Sequence, residues 1–135
     1  IKNFFKINRF KMSSGKIWEM RKDYDPAFPF IEFEKITNPL EVFNDWFELA
    51  KKNDDSWEPN SMIISTVNQD GIPSSRVVLL KQYNEDGFQF FTNYNSQKAK
   101  EIENNCNVSL LFYWYKQNRL KLPYHFQASK NSGYS

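Results

Sequence analysis

Between Ser61 and Thr92 three strand-like runs are joined by connections no longer than turns. That spacing constrains the fold more than anything else in the chain. Parallel strands need a crossover of roughly a dozen residues or more, so these runs must pair as antiparallel neighbours. Met62 to Val67 reads as the first strand, and Asn68-Gln69-Asp70-Gly71 as a hairpin turn. Pro73 delays the next pairing, and Arg76 to Lys81 follows as a nearly continuous apolar strand with a cation at each end. Asn84-Glu85-Asp86-Gly87 is a second turn, and Phe88 to Thr92 a third strand. Ser96 caps a helix from Gln97 to about Asn104, with Ile102 as its clearest apolar contact, and Val108 to Trp114 is a fourth strand.

Upstream, Asn38-Pro39-Leu40-Glu41 is a helix start: an Asn cap, Pro in the first helical position, Glu in the first turn. Leu40, Phe43, Phe47 and Ala50 then recur at helical spacing, with Trp46 beside them, to about Lys52. The expected fold is mainly β, an antiparallel barrel with peripheral helices.

A chain of 135 residues suits one domain. Its thirteen Phe, seven Tyr and four Trp must be buried in a core, a subunit interface, or against a flat ligand. Only four Gly, with no GxGxxG or GxxxxGK[ST], argue against a glycine-rich nucleotide loop. A net charge of +2, without a basic stripe flanked by exposed rings, argues against nucleic acid. Cys106 and His125 are each the single residue of their type, which excludes an internal disulfide and a Cys- or His-rich metal centre, and a His in so irregular a tail gives no support to a Ser/His/Asp triad. No apolar run approaches the ~18 residues of a membrane span. A cytoplasmic setting is expected. The acid-free stretch Ile1 to Lys11 leaves a mitochondrial presequence open, although an extension upstream of a start at Met12 is the simpler reading. Residues 1–19 are thus expected to be a disordered extension, 20–119 the folded domain, and 120–135 a divergent tail in which strand periodicity is lost.

Two clusters carry chemistry. In Ser74-Ser75-Arg76-Val77-Val78-Leu79-Leu80-Lys81 the odd spacing puts Arg76 and Lys81 on opposite faces of a regular strand. Arg76 then offers a planar fork and Lys81 a point charge to two separate anions. The same pair would equally mark where a buried strand reaches water. In Phe91-Thr92-Asn93-Tyr94-Asn95-Ser96-Gln97-Lys98 a strand end feeds a helix N-terminus, which favours an anion. Lys98 in that first turn is unfavourable for the helix alone, a cost that makes sense if a phosphate bridges Lys98 and Arg76; a solvent-exposed Lys, at about a few tenths of a kcal/mol, is the alternative. The rings of Leu110-Leu111-Phe112-Tyr113-Trp114-Tyr115 read as core or interface, and Glu101 and Glu103 as a solvated helix face.

These stretches, with Met20-Arg21-Lys22-Asp23-Tyr24 and Glu58-Pro59-Asn60-Ser61-Met62, stand in the order found in a known family. From Met20 to about Arg119 the chain resembles the pyridoxamine 5'-phosphate oxidases of the FMN-binding split-barrel fold. The resemblance implies a homodimer with FMN at its interface, incomplete here at the C-terminal end. It also implies oxidation of pyridoxamine or pyridoxine 5'-phosphate to pyridoxal 5'-phosphate, with O2 reduced to H2O2. By the same resemblance, Arg76, Val77, Val78, Leu79, Leu80, Phe91, Thr92 and Lys98 hold FMN. Lys81 contacts the substrate phosphate, and Arg21, Lys22, Asp23 and Tyr24 close over the substrate.

The chain departs from the family pattern in four places. Gln97 stands where the family has an Arg, and Leu120-Lys121-Leu122-Pro123 where it has a Gln-Val strand. Tyr124, Lys130 and Ser132 echo a later segment in which Ala128 falls at a substrate-binding Arg. The family's closing Trp-Gly-Gly and Arg-x-His have no counterpart. A truncated, poorly soluble and non-catalytic product, a flavin- or pyridoxal-phosphate-binding remnant, is the alternative expectation, and a split-barrel flavin reductase or haem-utilising protein a third.

Overall fold

The computed structural model describes residues 38–53, 58–114, 120–121 and 124–129. Helix α1 spans Pro39–Asn53. Asn38 caps it as expected, its Oδ1 accepting from the Leu40 N–H at 3.0 Å. Strands β1 (Ser61–Val67), β2 (Pro73–Asn84) and β3 (Gly87–Phe90) follow, then helix α2 (Gln97–Asn104) and β4 (Asn107–Leu111). Two short strands, β5 (Tyr113–Trp114) and β6 (Leu120–Lys121), pair with each other, and β7 (Tyr124–Gln127) closes the described chain.

The main sheet has the order β3-β2-β1-β4-β7, and its pairings are all antiparallel. Both hairpins are built on an Asn. Asn68 Oδ1 accepts from the N–H groups of Asp70 and Ile72, each at 2.9 Å, and Gly71 supplies the positive φ of 76° that a side chain would resist. Asn84 repeats the device, accepting from the Asp86 N–H at 3.0 Å.

Four local expectations need correcting. Pro73 does not delay pairing. It is itself the first residue of β2 and sits opposite Val67, a position where a missing N–H is tolerated. The third strand stops at Phe90 and leaves Phe91 and Thr92 outside the ladder. The single strand expected from Val108 to Trp114 is broken at Phe112, which turns into the core between β4 and β5. The segment after Arg119 is not devoid of strands either, because β7 pairs with β4 from Asn107↔Gln127 to Leu110↔Tyr124.

The inner face of the sheet carries Met62, Ile64 and Thr66 of β1, and these meet Val78, Arg76 and Ser74 of β2. Helix α1 covers its apolar end with Phe43, Trp46 and Ala50. Phe43 is the hub. Its ring lies 4.9 Å from those of Tyr83 and Phe88, and 5.1 Å from Phe112. Buried Trp114 satisfies its indole N–H on the Pro59 carbonyl at 2.9 Å. No helix among the described residues is long and apolar enough to cross a membrane.

Candidate functional site

At the other end of the inner face, hydrogen-bonding groups replace the rings. Alternation along β1 turns Thr66 inward, and Thr66 is fully buried. A hydroxyl there must find partners. It accepts from Arg76 Nη1 at 2.6 Å and donates to Glu101 Oε2. Glu101, on α2, is 5% exposed, so the expectation of a solvated carboxylate is wrong. Its Oε2 also faces Arg76 Nη2 at 3.4 Å, and its Oε1 accepts from Gln97 Nε2 at 2.7 Å. Gln97 reaches on to Ser74 Oγ at 3.4 Å. The Thr66 hydroxyl, then the Gln97 amide, hold the Glu101 carboxyl below its ordinary value of 4.5. Burial opposes them, and the Arg76 guanidinium adds to the lowering.

Arg76 therefore projects to the inner face with part of its guanidinium engaged, its side chain 23% exposed. Lys98 is the second residue of α2, with Nζ 3.0 Å from Thr92 Oγ1. Ser96 caps α2 and accepts from the Ala99 N–H at 3.4 Å. Lys98 thus stands in the first turn of α2 and reaches back to Thr92, while Arg76 meets the same helix at Glu101, one turn further on.

The apolar residues after Arg76 split between faces. Val78 is half-buried and Leu80 buried toward the core. Val77, 60% exposed, and Leu79 share the outer face with Ile63 and Leu111. Pairing with β3 begins only at Leu80↔Phe90. Among the described strands, none pairs with the Pro73–Leu79 stretch of β2 on the side away from β1, so alternate backbone groups there are open to a ligand. Leu80 is the exception, since its N–H and C=O are both taken by Asn60.

Lys81 is the extra residue where the β2–β3 register shifts, and it is exposed. The strand is regular only as far as Leu80. A bulge of this kind re-aims the side chain it carries. Beyond β3, Phe91, Thr92 and Tyr94 line a groove of about 410 Å³ with Phe90, Ala99 and Ala128. Phe91 is 67% exposed. Arg21, Lys22, Asp23 and Tyr24 lie outside the described residues.

Sequence reasoning missed Thr66 and Glu101 as partners of Arg76, and Gln97 as the partner of Glu101. The available signals were the inward register of Thr66 and the i,i+4 spacing of Gln97 and Glu101.

A family described as "Pyridoxamine 5'-phosphate oxidase" matches residues 50–128. The chain belongs to this family. The match includes both clusters and β7. The pyridoxine/pyridoxamine 5'-phosphate oxidase of Dichelobacter nodosus is 46% identical over 103 residues, 76% of this chain and 48% of that protein. The pyridoxine-5'-phosphate oxidase of Bos taurus is 44% identical over 110 residues, 77% of this chain and 42% of that protein. The chain thus spans less than half the length of these oxidases.

Among solved structures, PhzG from Burkholderia lata 383, in complex with tetrahydrophenazine-1-carboxylic acid, superposes with a TM-score of 0.61 at 26% identity. That match covers 67% of this chain and 45% of PhzG. A pyridoxamine 5'-phosphate oxidase-related, FMN-binding protein from Nostoc punctiforme gives 0.57 at 18% identity, covering 70% of this chain and 51% of that one, and supports the fold alone. The fold is the expected split barrel, mainly β with peripheral helices.

Proposed function

We propose that this chain is the FMN-holding part of an oxidase acting on pyridoxamine or pyridoxine 5'-phosphate. The observation that carries the reading is that Arg76 and Lys98 both engage α2 or its entry, Arg76 through Glu101 in the second turn and Lys98 from the first turn itself, beside a stretch of β2 whose outer backbone groups have no partner among the described strands. A phosphate monoester with a flat, hydrogen-bonding ring system fits that combination. The cations and helix start suit the phosphate, and the open strand edge and exposed Phe91 suit the ring.

In this reading Arg76 and Lys98 hold the flavin phosphate. Backbone groups from Val77 through Leu80 border the ring, with those of Leu80 contributing through Asn60 rather than directly. Phe91 and Thr92 complete the cradle. When bound, FMN supplies the redox chemistry, taking hydride from the substrate's C4' carbon and returning electrons to O2 as H2O2. Lys81, re-aimed by the bulge, takes the substrate phosphate, and Arg21, Lys22, Asp23 and Tyr24 close over it. The outer-face row of Ile63, Val77, Leu79 and Leu111 supports a homodimer, since such a row on an exposed sheet face is a docking feature.

Adding FMN to the purified chain is the direct test. Retained flavin absorbance and quenched flavin fluorescence are expected, and absence of both overturns the assignment. Peroxide released from pyridoxamine 5'-phosphate then separates an oxidase from a chain that binds flavin without turnover.

A further inference from the structure

Glu101 is the one buried carboxylate among the described residues, and its helix would present it to water if nothing held it. What it holds is Arg76. We propose that Glu101 is a positioning residue for the anion site, fixing one edge of the Arg76 guanidinium so that its other N–H groups meet the ligand's phosphate. This inference rests on the flavin reading above.

The geometry is a closed relay. Arg76 Nη1 donates to Thr66 Oγ1 at 2.6 Å, Thr66 donates to Glu101 Oε2, and the same oxygen faces Arg76 Nη2 at 3.4 Å. Two adjacent nitrogens of one guanidinium are thereby tied to two atoms that are themselves tied together. A planar group held at two points cannot rotate about its own axis. The side chain is ordered before the ligand arrives, and less rotamer freedom is lost on binding.

Gln97 completes the arrangement. Its amide occupies Glu101 Oε1 at 2.7 Å without adding charge, which leaves Oε2 for Thr66 and Arg76. A cation at position 97 would draw the carboxylate toward itself. The neutral Gln97 and the ionised Glu101 therefore form one device, and Lys98, its Nζ on Thr92 Oγ1, is the cation of α2 that the flavin reading assigns to the phosphate.

Comparing FMN with riboflavin, which lacks the phosphate, tests this directly. Glu101→Ala is expected to weaken FMN binding roughly tenfold while riboflavin binding stays within about twofold, because only the phosphate contact depends on Arg76. Glu101→Gln keeps an acceptor for Thr66 and Arg76 and should hold FMN to within about threefold of the starting chain. Equal weakening of both flavins by Glu101→Ala would reveal a fold defect and overturn the proposal, as would no weakening of either.

A second readout does not need flavin. The Arg76 Nη resonances should be resolved by slowed guanidinium rotation in the original chain and averaged in Glu101→Ala. Unchanged Nη signals overturn the positioning role outright. If Arg76→Ala leaves the preference for FMN over riboflavin intact, it is the flavin reading that falls. The Nη spectra still decide whether Glu101 orders Arg76.

Discussion

Where α1 lies on the sheet, the inner face is filled by rings. Where α2 lies on it, further along the same β1, it is filled by a hydroxyl, a carboxylate and a guanidinium. Phe43 meets Tyr83, Phe88, Phe112 and Trp114 at ring-contact distances. Thr66 meets Arg76 and Glu101 through hydrogen bonds. Both ends rest on alternate residues of β1 and β2, Met62, Ile64 and Val78 beneath the rings and Thr66 and Arg76 at the other, so the difference is one of side-chain chemistry and of the helix that covers each. Burial of apolar area stabilises the first end. The second end largely exchanges bonds to water for bonds within the protein, a trade worth little net stability. Polar groups kept in such a place make sense as a binding site.

The largest expected effect comes from emptying the apolar end. Phe43→Ala removes the ring on which the others converge and should destabilise the fold by about 3–5 kcal/mol, read as a shift in urea midpoint. If the comparison holds, the molecules that remain folded keep their preference for FMN over riboflavin. A lost preference would mean that the two ends are not separable.

Thr66→Val strikes the other end and nearly conserves volume. It strips Arg76 Nη1 of its acceptor and Glu101 Oε2 of a donor, so a loss of about 1–3 kcal/mol is expected. Here the flavin preference should fall together with stability. A variant as stable as the original, with FMN binding intact, would show that the hydroxyl is replaceable and that the relay does not govern Arg76.

The two ends were also unequally legible in the sequence. Helix α1 and its cap at Asn38 followed from local signals, as did the Ser96 cap and both Asn-initiated turns, because each depends on residues within a few positions of one another. The apolar alternation of β1 likewise announced a core. Thr66 and Glu101, by contrast, are 35 residues apart, and nothing near Glu101 marks it as buried. Its neighbour Glu103, on the same short helix, is exposed. The bulge at Lys81 was hidden for a related reason. It reconciles the register of β2 with that of β3, and a register belongs to a pair of strands. The break at Phe112 follows from the pull of the ring core.

Acid separates the ends without any mutation. The folded Glu101 carboxyl titrates below its ordinary value of 4.5, held there first by Thr66 and Gln97. Its contribution is therefore fully present above that value and is lost as pH falls through the folded one. Urea midpoints should decline over this acid window. In Glu101→Gln the decline should be shallower, since the titrating group is gone. Identical profiles would place the acid sensitivity in other carboxylates.

The smallest effect is expected where the apolar end meets water. Tyr83 packs its ring 4.9 Å from Phe43 and 6.1 Å from Phe88, while its hydroxyl donates to Asn44 Oδ1 at 2.7 Å on the surface. Tyr83→Phe keeps the ring and deletes only that exposed bond, which water can replace on Asn44. The urea midpoint should therefore move by no more than about 0.5 kcal/mol in stability. A loss as large as that of Thr66→Val would mean that polar contacts also carry the aromatic end, and the contrast between the two ends of the sheet would not stand.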